Sequence, residues 1–349
     1  MKNQLVVIGN FGSGQGNCGQ TIKTNVVYSL LKKERADDTI AFDTSNLKSI
    51  SKIFYLLFVV FRYDKFVILP AQKALPILAC LFYIFNKKAD YIVIGGWLPE
   101  YLMISRRFIK KAISSNFRIF VETRDMTSKL IKIGIKSYVL PNFKTFVKFK
   151  LESVLEEKEK NSTKVNYVYV GRVIKEKGLI DSINALYNVA SNFKDKQFNF
   201  DIYGPLDNCF ESEFKNAIKK FKSENLIVTY KGFVSPSEIQ ETLVSYNFFL
   251  FPTYYEGEGF PGCLIDAMAS GVPIIASDWK YNKEIVKSNE NGYLYKSKSV
   301  SDLTNVLSHS FLLSPKDYKD LVSKCLIDAV TYHEDNVKLT MEKYNFFVS

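Results

Sequence analysis

The sequence predicts an α/β protein with two doubly wound parallel-sheet domains. Three observations carry this. Short apolar runs alternate with segments of helical period along the chain, which implies parallel strands covered by helices on both faces. The chain opens with LVVIG, a Gly-rich stretch NFGSGQGNCGQ and then TIKTNVVYSLLKK, the strand, loop and helix that begin a doubly wound sheet. Finally, 349 residues at 47% hydrophobic content supply material for two cores.

Leu5 to Gly9 reads as a buried strand. In the following loop Gly14, Gly16 and Gly19 set a loose G-x-G-x-x-G, without the Gly-Lys-Ser/Thr of a Walker loop and without an acid after a second clear strand. The glycines let backbone approach a phosphate or an acceptor sugar, at an entropy cost that a plain connector would not need. TIAFDTS reads as a strand, Ile50 to Arg62 as an apolar helix, KFVILPA as a strand, and Ala74 to Asn86 as a helix with Pro76 in its first turn. YIVIGG is a strand, WLPEYLMISRRFIKKAI one helix, FRIFVET a strand, and KSYVLPNFK a short strand with a Pro-Asn turn. Trp97 lies at the carboxyl end of a strand, where open α/β sheets bind ligands; it can stack on a sugar face or base, or pack under its loop. Glu122, Arg124 and Asp125 read better as a surface ion-pair cluster than as a site.

Leu151 to Thr163 is charged and sustains no apolar face, so it reads as the interdomain connection. The division is therefore 1–150, a linker at 151–163, a second domain at 164–325, and a terminal helical segment at 326–349. In the second domain VNYVYVG ends at Gly171-Arg172, and Lys177 shares the loop that follows. Arginine offers phosphate a planar fork and lysine a compact charge. FNFDIYGPL is the next strand, with Gly204 at its turn, and Phe233 follows another strand. Ser235-Pro236-Ser237-Glu238 makes a helix start. FFLFPT is a strand, Glu256 to Gly262 a loop, and CLIDAMAS a helix stopped by Gly271. The N–H groups near Gly262 to Leu264 open that helix and form an anion site. Glu258 lies just before them, and Asp266 eight residues further on, about two turns into the helix. Asn291-Gly292 is a turn, Ser301 caps a helix, and Lys316 to Ser349 is helical.

The run EGFPG, seven residues between Glu258 and Asp266, and then DAMASGVPIIAS resembles the donor-site motif of retaining GT-B glycosyltransferases of family 4, the capsular and O-antigen type of group 1 transferases. The family's second acid is a glutamate, whereas this chain has Asp266. Gly-Arg, four residues, then Lys-Gly at Gly171 to Gly178 adds to the likeness, which is specific over about Val165 to Leu307 and weaker in the first half. The resemblance implies two Rossmann-like domains facing a central cleft, with the last helix returning to the first domain. It implies transfer of a sugar, with retention, from a nucleotide-diphosphate sugar to a saccharide acceptor. Arg172, Lys177 and Glu258 would carry catalysis. Gly171, Gly204, Phe233, Phe260, Pro261, Gly262, Cys263, Leu264 and Asp266 would bind the donor, with Asp266 on its ribose. Gly14, Gly16, Gly19 and Trp97 would serve the acceptor side. The family often carries a first-domain histidine, but this chain has only His309 and His333.

Net charge is +11, which points to anionic partners. The cations are dispersed with no nucleic-acid signature, so DNA and RNA are excluded. Five scattered cysteines without a CxxC argue for a reducing cytoplasm and against a zinc site. No paired-Asp metal motif is evident, so a metal-independent reaction without a cofactor is expected. The N-terminus lacks a signal-peptide pattern, and IFYLLFVVF and ILACLFYIF are shorter than the roughly 20 residues of a spanning helix. The expectation is a cytoplasmic protein, peripheral at most on the inner face of the membrane, with an undecaprenyl-linked acceptor. A GT-B nucleotide-sugar epimerase and a non-catalytic sugar-nucleotide-binding scaffold remain open alternatives.

Overall fold

The structure, a computed structural model, describes residues 4–12, 19–35, 38–45, 49–160 and 163–347. Two compact units result. One comprises Met1–Asn142, Gly257–Phe260 and Asp335–Ser349; the other comprises Phe143–Glu256 and Pro261–Glu334.

The first unit runs Leu5–Gly9 (β1), Gly19–Arg35 (α1), Thr39–Asp43 (β2), Ile50–Arg62 (α2), Lys65–Leu69 (β3), Leu75–Ile84 (α3), Ala89–Ile92 (β4), Leu98–Ile104 (α4), Arg107–Asn116 (α5), Phe117–Val121 (β5), Arg124–Lys132 (α6) and Ser137–Val139 (β6). Its strands form a parallel sheet in the order β2-β1-β3-β4-β5-β6. Leu5 pairs with Thr39 on one side and Lys65 on the other, so β1 is central. It is buried throughout, which is why LVVIG is uniformly apolar and does not alternate. Right-handed crossovers place α2, α3 and the α4–α5 pair on one face of this sheet. The run WLPEYLMISRRFIKKAI is two helices, not one. Ser105 is extended, with φ −71° and ψ 151°, and breaks the ladder between them.

The second unit holds Leu151–Glu159 (α7), Val165–Val170 (β7), Leu179–Asn192 (α8), Phe198–Tyr203 (β8), Glu211–Lys220 (α9), Leu226–Gly232 (β9), Ile239–Leu243 (α10), Phe248–Phe251 (β10), Gly262–Ala269 (α11), Ile274–Ser277 (β11), Asn282–Ile285 (α12), Gly292–Tyr295 (β12), Val300–Phe311 (α13) and Pro315–Val330 (α14). Glu334–Lys343 (α15) ends the chain's regular structure. The sheet is parallel in the order β12-β11-β10-β7-β8-β9, so strand order reverses between β7 and β10. The stretch from Leu151, read as a connection, folds as α7 with Val154 and Lys158 buried. The cap of α13 is Ser299, not Ser301: the Ser299 side chain accepts from the Asp302 N–H, and Ser301 lies inside the first turn. The last stretch is broken into α14 and α15 by turns at Thr331 and Tyr332. Helix α10 starts at Ile239, after a turn over Pro236 to Glu238. Gly271 ends α11 at φ +62°, and the Val272 N–H returns to the Ala267 carbonyl at 2.9 Å.

Candidate functional site

The loop after β7 carries Gly171, Arg172 and Lys177, and the chain after β10 leads through Pro261 into α11, which bears Gly262, Cys263, Leu264 and Asp266. After β7 the chain must turn sharply against its neighbours, and glycines make that turn feasible. A Cβ on Gly204, at φ +127°, would lie 1.9 Å from the Gly171 carbonyl oxygen. A Cβ on Gly178, at φ +68°, would lie 2.2 Å from the Pro252 carbonyl oxygen. The Gly171 N–H donates to Tyr203 O at 3.0 Å, and the Tyr169 hydroxyl donates to Arg172 O at 2.9 Å. This backbone pinning sets Arg172 and Lys177 close together. The Arg172 guanidinium stands 5.2 Å from the Tyr255 ring centroid, and Lys177 Nζ stands 5.4 Å from the same ring. Lys177 also lies 5.2 Å from the Phe251 ring and is buried, whereas Arg172 is exposed. Two cations gathered at one aromatic ring can hold an anion.

Tyr255 was not singled out from the sequence, and it is held firmly: Trp279 Nε1 donates to its carbonyl oxygen at 2.8 Å. Lys298, also missed, stands 4.6 Å from the Tyr254 ring. The only sequence signal for either was the Tyr-Tyr pair before the acidic loop. Phe233 is 74% exposed and open to stack on a planar ligand.

Helix α11 begins at Gly262, so Asp266 lies about one turn inside it and not two. Of the first-turn N–H groups, that of Leu264 is taken by Pro261 O at 3.1 Å. Leu264 is itself buried, and Cys263 is a half-buried thiol outside any disulfide. Asp266 is 4% exposed and forms an ion pair with Lys144. Burial pushes its carboxyl up from the ordinary carboxylate range, and the Lys144 ammonium opposes that. Lys144 comes from 122 residues upstream and was not anticipated.

Glu258 and Phe260 belong to the first unit, with the loop 257–260. Both are buried there. The loop is organised by Glu122, which is 3% exposed and not a surface residue as its neighbours suggested. Glu122 Oε2 accepts from the Phe260 N–H at 3.0 Å and the Gly95 N–H at 3.3 Å, while Oε1 accepts from Lys23 Nζ at 2.7 Å. Asn142 Nδ2 donates to Phe260 O at 2.9 Å. A Cβ on Gly259 would lie 2.5 Å from Glu122 Oε2, so this loop packs too closely for any side chain there. Asp125 does join a surface cluster, through Lys129 at 3.1 Å.

Trp97 is engaged locally. Its Nε1 donates to Ile94 O at 2.9 Å, and its ring packs edge-on against Tyr101 at 5.6 Å. Gly19 starts α1 in open space, where a Cβ would meet nothing, so no close approach explains that glycine. Gly14 and Gly16 lie outside the described residues. Among the described residues no cluster of three His, Cys, Asp or Glu is placed to hold a metal.

Comparison with known proteins bears on the family and the fold. Residues 152–324 match the family described as Glycosyl transferases group 1. The chain is 30% identical over 220 residues to N,N'-diacetylbacillosaminyl-diphospho-undecaprenol alpha-1,3-N-acetylgalactosaminyltransferase of Campylobacter jejuni, covering 61% of this chain and 54% of that one. It is 28% identical over 187 residues to the capsular polysaccharide biosynthesis glycosyltransferase CapM of Staphylococcus aureus, covering 52% and 47%. It thus spans about half the length of these two relatives. Anabaena Alr3699/HepE, solved with UDP and glucose, superposes with a TM-score of 0.76 at 14% identity, covering 98% of both chains. At that identity the likeness speaks for the fold alone. Together with the two six-stranded sheets it bears out the expected α/β, GT-B fold class.

Proposed function

This chain belongs, over residues 152–324, to the glycosyl transferases group 1 family, and we propose on that premise that it is a retaining glycosyltransferase of surface polysaccharide synthesis. It takes a sugar from a nucleotide-diphosphate donor and passes it to a saccharide acceptor carried on undecaprenyl diphosphate, at the inner face of the cell membrane. The observation that carries the reading is the convergence of Arg172 and Lys177 on Tyr255 beside the glycine-tight end of β7.

In the reaction the bond between the anomeric carbon and the diphosphate oxygen breaks, and its electron pair leaves with the nucleoside diphosphate. The acceptor hydroxyl forms the new bond to the anomeric carbon and passes its proton to the departing diphosphate oxygen. Negative charge grows on the leaving diphosphate, and the two cations stabilise it without a metal. Lys177 is buried and held in place, so its charge needs little reorganisation. Phe233 offers a face to the nucleobase. Glu258 orients the donor sugar through its hydroxyls. Asp266, paired with Lys144, binds the ribose only if that lysine yields or shares the carboxylate.

The test is a thermal-shift screen with UDP, GDP, ADP, CMP and dTDP on wild type, Arg172→Ala and Glu258→Ala. One nucleoside diphosphate that stabilises wild type and fails with Arg172→Ala supports the donor site. No shift with any nucleotide removes it. Release of free nucleoside diphosphate only when acceptor is present separates a transferase from an epimerase or a scaffold.

A further inference from the structure

Helix α2 is apolar nearly all round, yet the described residues cover only one of its sides. Leu56, Val59 and Val60 are buried. On the other side Ile50, Phe54, Phe58 and Phe61, spaced at three or four residues and so on one face, are 73%, 67%, 56% and 69% exposed. A helix hydrophobic all round belongs in a core or in lipid. The apolar surface continues beyond α2. Phe61 meets Phe85, just past α3, edge-on at 6.3 Å, and Tyr83 of α3 meets Phe108 of α5 at 5.4 Å. Ile84 is 70% exposed and Ile104, before α5, is 87% exposed. All of these lie on the helices that right-handed crossovers place on one face of the first sheet.

Charge says what covers this face. From Ile50 to Asn116 there are ten Lys and Arg against three acids. All three of those acids are already paired, Asp64 with Lys87, Asp90 with Arg118 and Glu100 with Lys129. Arg106, Arg107 and Lys111 are exposed beside the apolar residues of α4 and α5. An aromatic and aliphatic face rimmed by cations matches an anionic lipid surface, where rings enter the headgroup boundary and cations meet phosphates. No described helix is long and apolar enough to cross a membrane. Helix α2, at 13 residues, is about 20 Å long against a hydrocarbon core of about 30 Å, so it lies in the interface.

We propose that the outer face of α2, α3 and α5 docks on an anionic phospholipid bilayer, with Phe54, Phe58 and Phe61 inserted and Arg106 and Arg107 on the headgroups. This rests on the lipid-linked acceptor reading for its purpose, since a face seated on the bilayer brings the first unit to a lipid-borne substrate. The binding itself is read without donor or acceptor.

The experiment is co-sedimentation of the full chain with vesicles of phosphatidylcholine alone and of phosphatidylcholine with phosphatidylglycerol. Wild type should pellet with the anionic vesicles and be released by salt. Phe54→Ser/Phe58→Ser and Arg106→Ala/Arg107→Ala should each weaken binding about tenfold or more. Both pairs replace surface residues, so an unchanged thermal shift with nucleoside diphosphate checks that the variants are folded. Failure of wild type to bind anionic vesicles, or equal binding by wild type and both variants, overturns the proposal. So does a dimer in light scattering that Phe54→Ser/Phe58→Ser dissolves while vesicle binding is absent; a second copy then covers the face. Transfer to a soluble acceptor with no vesicle binding sinks this inference and spares the transferase. Vesicle binding without transfer to a lipid-linked acceptor does the reverse.

Discussion

Lys158 is the most exacting place to test the physics of this fold. It ends α7 with only 4% of its surface exposed, and its Nζ donates to the carbonyls of Val244, at 3.1 Å, and Tyr246. Burial pushes the ammonium down from 10.5 to about 7, with the nearby Cys325 thiol opposing weakly. A neutral amine still has two N–H groups, one for each carbonyl, so deprotonation need not break the contacts. Between pH 7 and 10.5 the unfolded chain therefore binds the proton that the folded chain releases, and stability rises with pH across that window. Below pH 7 both states are protonated and the full penalty is present. The window is worth up to about 5 kcal/mol, at 1.36 kcal/mol per pKa unit. Lys158→Met removes this dependence but leaves two carbonyls unpaired, a pH-independent loss of about 1–3 kcal/mol each. The readout is thus the slope with pH, not the offset.

The chain has two tryptophans, Trp97 in the first unit and Trp279 in the second. In a Trp97→Phe background, Trp279 fluorescence reports urea unfolding of the unit that holds Lys158. The stability of Lys158→Met relative to its parent should fall by a few kcal/mol between pH 6.5 and 10. A difference constant over that range would refute a neutral buried amine and mean that the carbonyls keep Lys158 charged.

Other perturbations test the loops. Gly204→Ala drives a Cβ into the Gly171 carbonyl, a backbone clash no rotamer relieves; about 3 kcal/mol or more should be lost, with the nucleotide thermal shift, and a wild-type melting curve would contradict this. Lys144→Met leaves Asp266 buried and unpaired, at a cost of about 2–4 kcal/mol near neutral pH. Because burial already raises that carboxyl, the folded state holds its proton more readily than the unfolded one, so the loss should shrink as pH falls. Equal loss at pH 5 and pH 7 in urea titrations would count against it. Glu122→Gln strips buried Lys23 of its counter-charge and should destabilise the first unit by about 3–5 kcal/mol, read by Trp97 in a Trp279→Phe background; an unchanged midpoint would mean that Lys23 finds another partner.

Local order was legible because it has local causes. The apolar runs of β1 and β10 are uniform since parallel strands are covered on both faces, and Gly271 stops α11 since only a residue tolerant of positive φ fits there. Arg172 and Lys177 were readable because only four residues of one loop separate them and the strand before it fixes where that loop emerges. Errors of local reading were also local: Ser105 breaking a helix, and Ser299 rather than Ser301 capping one.

What only the tertiary structure decided are pairings across long stretches of chain. Glu122 reaches Phe260 across 138 residues, and Lys144 reaches Asp266 across 122. Neither lysine nor glutamate differs in type or spacing from the many solvated ones in a chain with 47 Lys and Arg. Burial gives them their meaning, because a charge taken out of water must find a partner, and which partner is near depends on how the sheets are ordered. The same holds for α2. Its apolar sequence alone reads as core, and only the packed sheet reveals that one side is left exposed by the described residues. The sequence by itself determined the elements and the chemistry on offer; the fold decided which of those groups meet, because contact is set by topology and not by spacing along the chain.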